Sequence, residues 1–157
     1  MNTTLERNMK FARFMAEKST CLRRKVGAVI MDGLVVLSTG YNGAPSPVAP
    51  CGDCGGCLRK KLNVPSGQRH ELCRGIHAEQ DAINKAARNG IALDGATLYC
   101  TTFPCSMCAK SIISSGIKKV YYTEDYPDEL SKELFSHTDI ELICLNWLYL
   151  FVKYSII

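Results

Sequence analysis

The chain lacks the features that mark an exported or membrane-embedded protein. Its first ten residues, MNTTLERNMK, hold no apolar signal segment, so neither export nor an oxidised disulfide framework is expected, and the location read is cytoplasmic. No apolar run is long enough to span a bilayer. The nearest is the tail from Ile140, which Asn146 and Lys153 interrupt, and it reads as a strand plus a helix packed on the core. An excess of one charge is also missing. Nineteen basic residues against fifteen acidic ones leave +4 and a pI near 8.6. That suits an anionic small molecule and falls short of a nucleic-acid footprint. Without repeats or low-complexity segments, the simplest organisation is one domain over residues 1–157.

What the chain does have is cysteine. There are nine, an odd number, which disfavours complete pairing and favours reduced thiols kept for metal. Five potential ligands (Cys51, Cys54, Cys57, His70 and Cys73) crowd the irregular stretch 45–75. A connection that long inside a compact domain calls for a functional or metal-ordered explanation. Cys100 and Cys144 alternate with apolar neighbours and read as core, and His137 as surface.

Around these cysteines the pattern alternates. Leu5, Met9, Ala12 and Ala16 fall at helical spacing. Residues 25–30 and 34–39 read as a hairpin joined by Met31-Asp32-Gly33. A turn-rich loop, Gly40-Tyr41-Asn42-Gly43-Ala44-Pro45, follows; it is either a plain turn or a holder of the Asn42 amide against a ligand. Beyond the cysteine-rich stretch come a helix over 76–88, a strand at 97–101, a helix over 105–115, a strand at 120–123, a helix over 128–135 and a strand at 140–145. The expected fold is a three-layer α/β/α sandwich on a mixed five-stranded sheet, with helices on both faces.

One motif pair organises this frame. His77-Ala78-Glu79 opens the first of those later helices, and Pro104-Cys105-Ser106-Met107-Cys108 opens the second. Cysteines three apart share a helix face, and a first-turn position favours thiolate over thiol. One imidazole and two thiolates give zinc three protein ligands, leaving the fourth tetrahedral position for water. Glu79 stays free to move protons, provided an apolar pocket raises its pKa. C-x-x-C alone would also suit a redox dithiol or a zinc ribbon, and H-x-E alone is weak. The ordered pair H-x-E…P-C-x-x-C is the known mark of zinc nucleobase deaminases.

The chain also resembles the deoxycytidylate (dCMP) deaminases of the cytidine deaminase superfamily. The resemblance is carried by VGAVI at 26–30, TGYNGAP at 39–45, IHAEQDAI at 76–83, AARNG at 86–90, PCSMCAKSII at 104–113 and SGIKKVYY at 115–122. It implies zinc held by His77, Cys105 and Cys108, Glu79 as proton shuttle, and Asn42 on the sugar. It places Arg88 and Tyr126 at the phosphate, or at a subunit contact that completes the phosphate pocket. A second, structural zinc is implied on Cys21, Cys51, His70 and Cys73, with Cys54 and Cys57 as alternatives. A homo-oligomer, hexameric in the family, and dCTP and dTTP as effectors follow from the same resemblance. The activity implied is hydrolysis of dCMP to dUMP and ammonia. The competing expectations are a deaminase of another free base, a nucleoside or a tRNA base, or a structural-zinc binding module. The stretch 147–157 departs from the family pattern and reads as a subunit interface or a divergent end.

Overall fold

Alternation in the central strands decides the architecture. In the computed structural model, which describes residues 3–145, β1 (Gly27–Asp32) is buried at every position but the last. Ala28 and Ile30 point to one face, Val29 and Met31 to the other, as a period of two requires. The strand therefore lies between two layers of helix. β2 (Val35–Tyr41) and β3 (Thr97–Thr102) flank it antiparallel, and β4 (Lys119–Glu124) and β5 (Glu141–Cys144) continue parallel in the order β2-β1-β3-β4-β5. The sheet is mixed and five-stranded. β2 runs on through Gly40 and Tyr41, which the sequence reading gave to the loop, because both residues keep the ladder register against Ala28 and Gly27.

On one face, α1 (Thr3–Glu17) buries Met9, Ala12 and Met15 against Val29, Met31 and Tyr99. On the other, α3 (Ala78–Arg88) and α4 (Ser106–Ser114) cover Ile30, Leu98, Cys100 and Val120, and α5 (Glu129–Ser136) packs on α4. Fully buried side chains such as Ile30, Leu98 and Ile112 each contribute about 1.5–3 kcal/mol of transfer free energy. Close approach of helix to sheet needs glycine at Gly40, where a Cβ would collide with the Ala78 carbonyl oxygen and the Ala82 nitrogen. Gly40 thereby lets the start of α3 sit directly on β2.

The stretch 45–75 is more structured than its composition suggests. It contains α2 (Leu58–Lys61) and a 3-10 turn at His70–Leu72, both too short to show periodicity. Among the described residues no helix is long and apolar enough to cross a membrane. The stretch 147–157 lies outside the described residues.

Candidate active site

Two chain turns bring the motif residues together. His77 immediately precedes α3 and Cys105 immediately precedes α4, both in extended backbone conformation. The ligating side chains thus stand at two helix N-termini, beyond the carboxyl end of β3. His77, Cys105 and Cys108 offer ligand atoms that all lie within 4.8 Å of one another. The His77 Nδ1 stands 3.3 Å from each sulfur. Bonds of about 2.3 Å to sulfur and 2.0 Å to nitrogen hold tetrahedral ligand atoms roughly 3.5 Å apart. The spacing therefore fits zinc bound by three protein ligands.

The protonation chemistry agrees. The hydrogen bond from the Cys108 thiol, together with the His77 ring, brings Cys105 down to about 4, and the same bond plus burial pushes Cys108 well up. The two sulfurs hold one thiolate between them, and a dication is what makes a second favourable. Glu79 is 4% exposed, and burial raises its carboxyl above the usual range. Its carboxyl hydrogen-bonds Cys108 and reaches Cys100, so Cys100, fully buried in the core, also faces the site. Glu79 is thus beside the ligand set without belonging to it.

The second turn is held from outside. Asp128 caps α5 by accepting from the Ser131 nitrogen (2.9 Å), and its other oxygen accepts from the Ser106 nitrogen (2.8 Å) at the start of α4. The buried Ser131 hydroxyl donates to the Pro104 carbonyl (2.7 Å). Pro104-Cys105-Ser106 is therefore pinned on both sides by α5.

The family model for the cytidine and deoxycytidylate deaminase zinc-binding region matches residues 2–124. The chain belongs to this deaminase family. Deoxycytidylate deaminase of Saccharomyces cerevisiae is 38% identical over 133 residues, 84% of this chain. The chain spans only 41% of that yeast protein's length. Its counterpart from Enterobacteria phage T4 is 33% identical over 181 residues, covering 88% of this chain and 92% of the phage protein. The dCMP deaminase of cyanophage S-TIM5, solved in complex with dCMP and dUMP, superposes with a TM-score of 0.76 at 31% identity, over 92% of this chain and 98% of that one. Zinc is the metal of this deaminase family, and the three gathered side chains are a donor set suited to it.

The other residues singled out from the sequence are scattered around this deaminase site. Asn42 lines the same cavity as His77 and Glu79. Its Oδ1 accepts from Ser19 Oγ (2.6 Å) and the Val26 nitrogen (2.8 Å), and its Nδ2 donates to the Arg24 carbonyl (2.8 Å). One Nδ2 hydrogen remains for a ligand. Tyr126 lines the cavity, with its hydroxyl bonded to Ser66 and its ring 5.8 Å from the Arg24 guanidinium. Arg88 is exposed at the far end of α3 and does not line the cavity.

The proposed second-zinc residues divide. The titratable neighbours of the Cys51 thiol are Cys57, Cys73, Arg74 and Cys21. The His70 ring instead lies edge-on to His77 at 4.9 Å between centroids. Cys54 is exposed and accepts from Arg74 Nη1 at 3.1 Å. Among the described residues, these ligand atoms form no group of three within 4.8 Å.

The sequence reading overlooked Arg59, Thr102 and Asp128. Arg59 looked like one more cation in an irregular stretch, yet it is buried and lines the cavity. Asp128 entered only as the first residue of the helix over 128–135; its second bond, to Ser106, spans 22 residues and has no local signature.

Proposed function

We propose that the chain catalyses the zinc-dependent hydrolysis of dCMP to dUMP and ammonia. The observation that carries this reading is Glu79, a buried carboxylate with a raised pKa beside a three-ligand metal site and outside its ligand set. A structural zinc site, closed by four ligands, has no use for such a group. The likeness to deoxycytidylate deaminases, one of them solved with dCMP and dUMP, supports the choice of substrate.

In this reading His77, Cys105 and Cys108 hold the metal. Zinc, when bound, supplies a Lewis acid able to lower the pKa of water to about 7. Glu79 accepts the proton of the attacking water and delivers it to the ring nitrogen beside C4 of cytosine. As the water oxygen bonds to C4, Glu79 takes the second proton from that oxygen and passes it to the amino group; the C4–N bond then breaks, leaving a carbonyl at C4 and releasing ammonia. Burial raises the Glu79 carboxyl above the ordinary range, which favours its holding a proton between the two transfers. The remaining hydrogen on Asn42 Nδ2 is directed at the sugar. Tyr126 holds Ser66 at the rim of the cavity.

The same proposal includes a second zinc on Cys21, Cys51 and Cys73. Cys57, buried and close to Cys51, is favoured over His70 as the fourth ligand. A homo-oligomer that brings Arg88 to a subunit contact, dCTP and dTTP as effectors, and a cytoplasmic location complete it. The test is ammonia release from dCMP, dCTP, cytidine, deoxycytidine, guanine and tRNA run side by side. Fastest release from dCMP is expected; faster release from a nucleoside, a free base or tRNA overturns the substrate.

A further inference from the structure

Asn42 reaches the catalytic cavity from a loop that the end of α1 presses from behind. The chain leaves α1 through Lys18 and Ser19, whose nitrogens still donate to the Met15 and Ala16 carbonyls at 3.1 Å each. That turn carries Ser19 against the residues after β2. Ser19 Oγ lies 2.6 Å from Asn42 Oδ1 and 2.8 Å from the Asn42 carbonyl oxygen, so its single hydrogen is shared between two acceptors of one residue. The Cys21 nitrogen donates to the same Oγ at 3.2 Å, which leaves the hydroxyl hydrogen for Asn42. Ser19 is only 8% exposed and does not line the cavity. It stands behind the part of the wall that Asn42 forms.

These contacts decide which way the amide faces. The Val26 nitrogen can only donate and the Arg24 carbonyl can only accept, and each meets the Asn42 side chain at 2.8 Å. Oδ1 therefore faces Val26 and Nδ2 faces Arg24; a flipped amide would set donor against donor and acceptor against acceptor. Ser19 takes the second lone pair of Oδ1. With both lone pairs and one hydrogen engaged, Asn42 offers the cavity one N–H, a donor and never an acceptor. Val26 and Arg24 act through backbone groups that any residue would supply. Among the described residues that hold the amide, Ser19 alone acts through its side chain. The loop is also fixed relative to the metal site. Gly43 and Ile76 exchange N–H···O bonds of 3.2 and 2.9 Å, Ile76 precedes His77, and a Cβ on Gly43 would collide with Thr20 Oγ1.

We propose that Ser19 is a positioning residue for this site: from outside the cavity, its hydroxyl locks the Asn42 amide with the free N–H turned to the substrate. This rests on the deaminase reading above and adds to it a residue that touches no substrate. The reacting carbon belongs to the base, so a contact to the sugar is the same before and during the reaction. Loosening it weakens binding and leaves the chemical step alone, which places the effect in KM.

The test is a double-mutant cycle of Ser19→Ala, Asn42→Ala and the pair together, with kcat and KM for dCMP, calorimetric binding of dUMP, zinc content and melting recorded for each. Ser19→Ala should raise KM and weaken dUMP binding by about two- to tenfold, the scale of one neutral hydrogen bond, with kcat and zinc content at the wild-type values. In the Asn42→Ala background the same substitution should change neither KM nor dUMP binding. Equal factors in the two backgrounds, or a loss confined to kcat, would overturn the assignment, because a serine that only braced the fold would act whether or not Asn42 is present. Should Ser19→Ala fail to fold, Ser19→Cys, of similar size but a weak donor, takes its place in the cycle. A readout independent of turnover is hydrogen exchange at the Asn42 side-chain amide, followed by NMR and assigned by the loss of its signals in Asn42→Ala. Exchange should quicken by a similar factor when the Ser19 hydroxyl is removed, and unchanged exchange overturns the proposal. Wild type that releases no ammonia from any cytosine compound defeats the deaminase reading, and the amide exchange then still decides whether Ser19 holds Asn42.

Discussion

Replacing Asp128 should loosen both the fold and the metal site, although the residue touches no metal ligand side chain. Its two oxygens accept from the Ser131 and Ser106 nitrogens at 2.9 and 2.8 Å. Losing an N-cap costs about 0.5–2 kcal/mol, and losing a hydrogen bond to a charged acceptor about 1.5–3 kcal/mol. Asp128 is partly exposed, so solvent screening trims the sum, and we expect Asp128→Ala to cost about 2–4 kcal/mol. That corresponds to a melting point lower by roughly 4–16 °C for a chain of this size. Because Ser106 follows Cys105, zinc affinity should also fall by about tenfold or more, as for other groups that orient a ligand. The pH dependence has a definite sign. Desolvation alone would raise the Asp128 carboxyl, but the donated bonds from Ser106 and Ser131 outweigh it and hold the group below its ordinary value. A depressed folded-state pKa gives stability that is complete above the unfolded value, about 3.9, and is lost as pH falls through the folded value. Melting of wild type and Asp128→Ala should therefore differ by a constant amount above about pH 5 and converge below about pH 4. Equal melting at pH 7, or a gap that widens on acidification, would refute this reasoning.

Two further outcomes are expected. Fresh protein kept reduced should carry two zincs per chain, and Cys57→Ser should lower this to one while Cys54→Ser leaves two; one zinc in the wild type would remove the second site, and two in Cys57→Ser would return His70 to the ligand set. Gly40→Ala should destabilise strongly, by about 1–3 kcal/mol as in other overpacked sites, since the new Cβ meets backbone of α3; calorimetric melting equal to wild type would show that α3 can shift away from β2.

The legible part of this protein was its periodicity and its spacing. Short β-rich runs marked β1 and β3, helical spacing marked α1, and the two motifs marked which helix starts would meet. Local chemistry could carry that much because each signal lies within a few neighbouring residues. The cavity wall was not legible. Arg59 sits on a helix of four residues, too short for a pattern, and only the fold shows it buried with no carboxylate paired to it among the described residues. The His70 ring likewise has a place in the sequence, three residues before Cys73, that suits a zinc pair. The 3-10 turn instead lays it against His77. The second bond made by Asp128 joins two helices and has no trace in either one's sequence.

Catalysis in the proposed reaction turns on Glu79 as the proton carrier beside an intact metal site. The most direct measurement is ammonia release from dCMP by wild type and Glu79→Gln at matched zinc content. The amide keeps the size and the buried position but cannot carry a proton, and general acid–base catalysis is worth about 10²–10⁴-fold. Turnover should fall by at least that factor while His77, Cys105 and Cys108 retain the metal. Turnover within a few-fold of wild type in the zinc-loaded variant would contradict the mechanism.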